Sequence, residues 1–149
     1  RPPRSTLFPY PTLFRSPGGL TVVDAKTWSQ PPKDFEGREF RPHNRLITCA
    51  ALSASERKKA ASIIGEKLMK SKGPTAFIMT HGGFDDWDRE GEWAFDQNAI
   101  NSFHEEMKNI LKEPVKYYEI KQNINEPEFT NLALQIFDEW LDEGLIKIN

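Results

Sequence analysis

The sequence predicts an α/β domain built on a doubly wound parallel sheet, three layers deep with helices on both faces. Three observations carry that prediction. Short apolar, β-branched runs alternate with amphipathic helical segments along most of the chain. The run Thr75–Thr80 (TAFIMT) is almost wholly apolar without alternation, as a strand covered on both faces should be. The helical segments begin and end at residues that cap helices.

Residues 20–24 (LTVVD) follow Pro17-Gly18-Gly19 and read as a first strand. Residues 25–44 are broken by Pro31, Pro32, Gly37 and Pro42 and read as an irregular connection. Residues 46–50 (LITCA) make a second strand and run into Ser53-Ala54-Ser55-Glu56. That is a capping box, in which the Ser side chain bonds the N3 amide and the Glu reaches back to the cap. Ala60, Ala61, Ile64 and Leu68 then recur at helical spacing until Gly73-Pro74. After TAFIMT a polar loop, residues 81–96, leads to a helix whose buried stripe is Ile100, Phe103, Met107 and Ile110 and which Pro114 closes. Residues 115–120 (VKYYEI) are a strand again. Asn125 is expected to cap the last helix, with Pro127 in its first turn, where a missing N–H costs nothing. Phe129, Leu132, Ile136 and Trp140 lie on its apolar face, and Gly144 marks its end. Residues 145–148 read as a terminal strand or a tail packed on the sheet.

Residues 1–16 (RPPRSTLFPYPTLFRS) break from this pattern, with Pro-aromatic repeats, three arginines and no carboxylate. They are read as a non-native, disordered segment resembling translated sequencing-adapter read-through, and the domain is placed at residues 17–149. The 149 residues carry a net charge of −2, which becomes −5 once those three arginines are set aside. An acidic balance argues against a nucleic-acid partner. The single Cys49 rules out an intrachain disulfide and fits a reducing, cytoplasmic setting. No apolar run approaches the ~20 residues of a membrane helix.

Several stretches carry a resemblance in order and spacing: Arg41-Pro42-His43-Asn44, Ser53 to Glu56, the Gly-Pro-strand-Gly run at residues 73–83, Gly91 with Phe95-Asp96, and Asn123-Ile124-Asn125-Glu126-Pro127-Glu128-Phe129. Over residues 20–141 the chain resembles the C-terminal domain of uncharacterised protein family 0261, the ATP-binding family related to a tomato mosaic virus resistance protein. The resemblance implies a Rossmann-like fold and the C-terminal half of a two-domain protein, with the N-terminal domain of the same chain as partner. It further implies a nucleotide site using ATP with Mg2+, and a homodimer. Two places depart from the family pattern. Ala51-Leu52 stands where the family usually has Arg-Thr, and Met79-Thr80-His81-Gly82 where it usually has Pro-Leu-Arg/Lys-Gly.

In an open parallel sheet, ligands sit beyond the carboxyl ends of the strands. There HGGFDD, residues 81–86, offers Gly82 and Gly83 amides for an anion, with His81 and Asp85 beside them. Asn123 and Asn125 occupy the next strand's carboxyl edge, and His43 and Asn44 join if the long loop folds over the site. These eight residues form the expected ligand site, facing a cleft against the N-terminal half. No metal site is expected. Asp86 to Glu92 mimics half a calcium loop, but Gln97 stands where the closing Glu belongs. His104 reads as a histidine flanking an apolar stripe. No nucleophile–base pair or carboxylate pair identifies a reaction, so whether the protein is an enzyme stays open. The functional expectation is a nucleotide-binding domain. Its rival is a structural or interaction domain that has lost the anion site and docks through Trp28, Trp87 and Trp93.

Overall fold

A computed structural model of the chain describes residues 13–25 and 33–146. Its elements are β1 (Leu13–Arg15), β2 (Val22–Ala25), β3 (Phe40–Pro42), β4 (Thr48–Ala51), α1 (Ala54–Leu68), β5 (Thr75–Thr80), α2 (Gln97–Ile110), β6 (Lys116–Ile120) and α3 (Pro127–Asp142). Short 3-10 turns occupy Lys33–Phe35 and Asp86–Asp88. Trp28 lies outside the described residues. Among the described residues no helix is long and apolar enough to cross a membrane.

The α/β architecture is present, with a three-stranded parallel sheet in the order β1-β5-β6. All six residues of β5 are buried, and alternation sends them to two cores. Phe77 and Met79 meet α1 and α2 through Ala61, Leu68, Ile100, Phe103 and Met107. Ala76 and Ile78 meet α3 through Ile136 and Trp140. The sheet is thus the middle of three layers.

Two expectations about the strands are corrected. β2 and β4 do not enter the parallel sheet; they form a separate antiparallel sheet in the order β2-β4-β3. β3 lies inside the stretch expected to be irregular, and it tolerates Pro42 because an edge strand has one side without ladder bonds. The neighbour of β5 is instead β1, from the last residues of the segment expected to be disordered. Pairing needs backbone groups rather than a particular sequence, and Phe14 adds a ring 4.4 Å from that of Trp140. The remainder of that segment, residues 1–12, lies outside the described residues.

Local signals at the helix ends act as expected at α1, where both halves of the Ser53–Glu56 capping box form. Asp96 caps α2 by accepting the Ala99 N–H. At α3 the cap is Glu126, one residue after the expected Asn125, with Pro127 at the first helical position. Past Gly144, the Leu145 and Ile146 amides both donate to the Trp140 carbonyl, which holds the tail on the α3 core.

Candidate functional site

The loops that follow β5 and β6 pack backbone to backbone. Gly82 N–H donates to the Gln122 carbonyl, and Ile124 N–H to that of Gly83, both at 3.2 Å. A Cβ on Gly82 would stand 2.6 Å from the Asn123 amide nitrogen. One on Gly83, whose φ is +115°, would stand 1.9 Å from the Asp88 carbonyl oxygen. Crowding therefore accounts for both glycines, and the Gly82 amide expected to receive an anion is already committed. Asn123, only 4% exposed, staples the same loops. Its Nδ2 donates to the Gly82 and Asp85 carbonyls at 3.1 and 2.8 Å, and its Oδ1 accepts the Asn125 N–H at 3.0 Å.

The loop after β5 is held from the other side by an ion pair. Arg57 of α1 and Asp88 are both wholly buried, with Nη1–Oδ2 2.8 Å and Nη2–Oδ1 3.2 Å. Asp88 Oδ2 also accepts the Phe84 N–H at 3.1 Å, and the guanidinium lies 5.2 Å from the Phe84 ring centre. Burial pushes the Asp88 carboxyl up, while the Arg57 contact opposes it. Asp86 pairs with Arg89, so neither carboxylate is arranged as in a calcium loop.

These fixed loops and the antiparallel sheet enclose a cleft of about 340 Å³, lined by Val22, Asp24, His43, Cys49, Asp85, Asp86, Trp87 and Asn125. Asp24 and Cys49 are cross-strand partners in β2 and β4, and the thiol donates to Asp24 Oδ1 at 3.2 Å. Burial, reinforced by the Asp24 carboxylate, pushes the Cys49 thiol up to about 11. It is a poor nucleophile at neutral pH. Hydrogen bonds from Asn125 and Arg89 hold the Asp86 carboxyl below its ordinary value. Asp85 turns one oxygen to the Trp87 N–H at 2.9 Å. The His43 ring stands edge-on to Trp87 with centres 5.4 Å apart, and Trp93 lies 5.9 Å beyond on the same indole. The cleft thus combines aromatic rings with carboxylates.

Of the eight residues expected to share a site, the structure brings His43, Asp85 and Asn125 to this cleft. Gly82, Gly83 and Asn123 tie together the loops that carry Asp85 and Asn125 but do not line the cleft. Asn44 is spent on a turn, its Oδ1 accepting the Leu46 and Ile47 amides at 2.7 and 2.9 Å. His81 points elsewhere. Its Nε2 is 2.9 Å from Glu119 Oε2, and His104 Nε2 is 3.6 Å from that same oxygen. His104 Nδ1 bonds the Tyr117 hydroxyl at 2.8 Å, and Lys108 bonds Glu119 Oε1 at 3.2 Å. Burial lowers the His104 pKa, with His81 and Lys108 adding to it against the pull of Glu119. Burial pushes Glu119 up, but its bonds to His81 and Lys108 outweigh that and leave it lowered.

Sequence reasoning missed Asp24 and Cys49 as cleft residues because β2 and β4 were placed in the wrong sheet, and it assigned Trp87 to a docking surface instead. It separated His81 from His104 and Glu119 because they lie on three elements. A signal was present nonetheless. Period two puts His81 on the face of Phe77 and Met79, and Glu119 on that of Tyr117, while His104 follows Ile100 by one helical turn.

A profile of the uncharacterised protein family UPF0261, C-terminal domain, matches residues 11–141. A UPF0261 protein of Brucella melitensis is 35% identical over 131 residues, 88% of this chain and 31% of the relative. One from Clostridium tetani is 29% identical over 115 residues, 76% of this chain and 28% of that protein. The ToMV resistance protein Tm-1(GCR237) of Solanum lycopersicum is 26% identical over 129 residues, 85% of this chain and 17% of that protein. The chain thus spans at most about a third of the length of these relatives. With the match running from the strand β1 through α3, the chain belongs to the UPF0261 family and contains its C-terminal domain.

Proposed function

We propose that this is a ligand-binding domain whose cleft takes the hydroxyl- and amine-bearing part of a small polar molecule. For the nucleotide that the family resemblance suggests, that part is the nucleoside rather than the phosphates. The observation that carries the reading is the lining: Asp24, Asp85 and Asp86 share the cleft with the rings of Trp87 and His43. Carboxylates accept hydrogen bonds from ribose hydroxyls or amines, and an indole offers a face for a base. The same carboxylates repel phosphate, and the Gly82 amide is committed to Gln122. Phosphates with Mg2+ would then leave the cleft toward the part of the protein that the relatives possess beyond this domain, where any catalysis would be completed.

Calorimetric titration of the 149-residue chain with adenosine and with ATP, each with and without Mg2+, tests this. Adenosine should bind within about tenfold of ATP, and Asp24→Asn should weaken both about 5- to 10-fold through one lost acceptor. Binding of ATP alone would sink the nucleoside assignment. No heat from either at millimolar concentration would favour an interaction domain without the anion site, in keeping with Ala51 and His81 at usually cationic places.

A further inference from the structure

The cluster of His81, His104 and Glu119 is separate from the cleft, and we propose that it is a binding site for one divalent transition-metal ion of the Zn2+ class. Each residue offers one ligand atom, and the three atoms lie within 4.8 Å of one another. Around a tetrahedral ion with bonds of about 2.0–2.2 Å, ligand atoms stand roughly 3.3–3.6 Å apart. Small side-chain rotations therefore close the triad on an ion. Glu119 Oε2 already stands 2.9 Å from His81 Nε2 and 3.6 Å from His104 Nε2.

The second layer fits as well. A histidine that binds a metal through one nitrogen ordinarily donates its other N–H to a fixed acceptor. His104 Nδ1 is 2.8 Å from the Tyr117 hydroxyl, which leaves Nε2 directed at Glu119. The His81 and His104 rings stand edge to face with centres 4.7 Å apart. The scaffold is rigid, because β5 and β6 are hydrogen-bonded in register and α2 is packed on them through Phe103 and Met107. His81, His104 and Glu119 keep 27%, 18% and 37% of their side chains exposed, so an ion can enter and retain a water. Lys108 competes for Glu119, but through Oε1, and its half-exposed side chain can swing away on its flexible stem. Two imidazoles with one carboxylate suit Zn2+, Co2+, Ni2+ or Fe2+ and not Mg2+, which takes oxygen ligands.

The test is titration of the EDTA-stripped 149-residue chain with Co2+, followed by visible d–d absorption, then displacement by Zn2+. One equivalent should bind, and Mg2+ should not compete. His81→Ala and His104→Ala should each weaken binding at least about 100-fold, Glu119→Gln comparably, and Tyr117→Phe about 10-fold. Circular dichroism on each variant separates ligand loss from unfolding, and Glu119→Gln keeps the shape of the site if an alanine variant fails to fold. Binding that survives the His81→Ala/His104→Ala double substitution would overturn the assignment. So would binding that Cys49→Ser removes, which would move the ion to the cleft, or the absence of saturable uptake.

Discussion

The buried pair Arg57–Asp88 fixes the loop carrying Asp85, Asp86 and Trp87, so removing one partner should loosen the cleft and the fold together. Arg57→Met keeps much of the side-chain volume but leaves the Asp88 carboxyl fully buried with the Phe84 N–H as its remaining donor. Breaking a buried pair on one side costs about 3–5 kcal/mol, because a charge is left uncompensated or must take up a proton. In a chain of this length that corresponds to a fall in Tm of about 10–15 °C. Asp88→Asn should cost a similar amount, because the guanidinium then faces a neutral amide. The double variant Arg57→Met/Asp88→Asn removes both charges and should recover about 2 kcal/mol relative to the sum of the singles. Urea denaturation followed by far-ultraviolet circular dichroism measures all four proteins, with an unchanged m-value showing that the midpoint shifts report stability. Single losses below about 1 kcal/mol, or strict additivity, would refute the view that these two groups depend on one another.

Gly83→Ala should cost roughly 3 kcal/mol or more, since it combines a φ of +115° with a Cβ placed 1.9 Å from the Asp88 carbonyl. Gly91→Ala has a φ of +93° but nothing within 4 Å, and should cost about 1–2 kcal/mol. Equal losses in thermal unfolding would remove crowding as the reason for Gly83. Glu56 is held at about 2, below its ordinary 4.5, chiefly by the Arg38 hydrogen bond and further by the Ser53 cap, with burial opposing. Its contribution, about 1 kcal/mol after solvent screening, is present above pH 4.5 and lost as pH falls toward 2. In Glu56→Gln that part of the acid sensitivity should vanish, and an unchanged acid profile would contradict it. Alkylation of Cys49 by iodoacetamide should keep rising with pH through pH 10, as expected for a thiol at about 11. A plateau near an ordinary thiol value of about 8.5 would show that burial and Asp24 do not control it.

The sequence by itself determined the elements whose causes are local. The Ser53–Glu56 box, Pro127 and Gly144 act within one helical turn, so α1 and α3 start or stop where those residues dictate. The apolar run of β5 revealed a doubly covered strand, because hydropathy reports burial directly. Strand partners were another matter. An alternating or β-branched run says that a segment is extended, yet the ladder is made by backbone groups common to every residue. Residues 20–24 and 46–50 therefore read as parallel strands when β2 and β4 pair antiparallel apart from the main sheet, and β1 came from a segment that looked foreign. The site inherited that ambiguity. Asp24 and Asp85 line one cleft only once the antiparallel sheet lies beside the loop after β5, and His81 meets His104 and Glu119 only once β6 and α2 stand beside β5. Distances between residues far apart in the chain belong to the tertiary packing, which is why the helices were legible in the sequence and the cleft and the histidine cluster were decided by the fold.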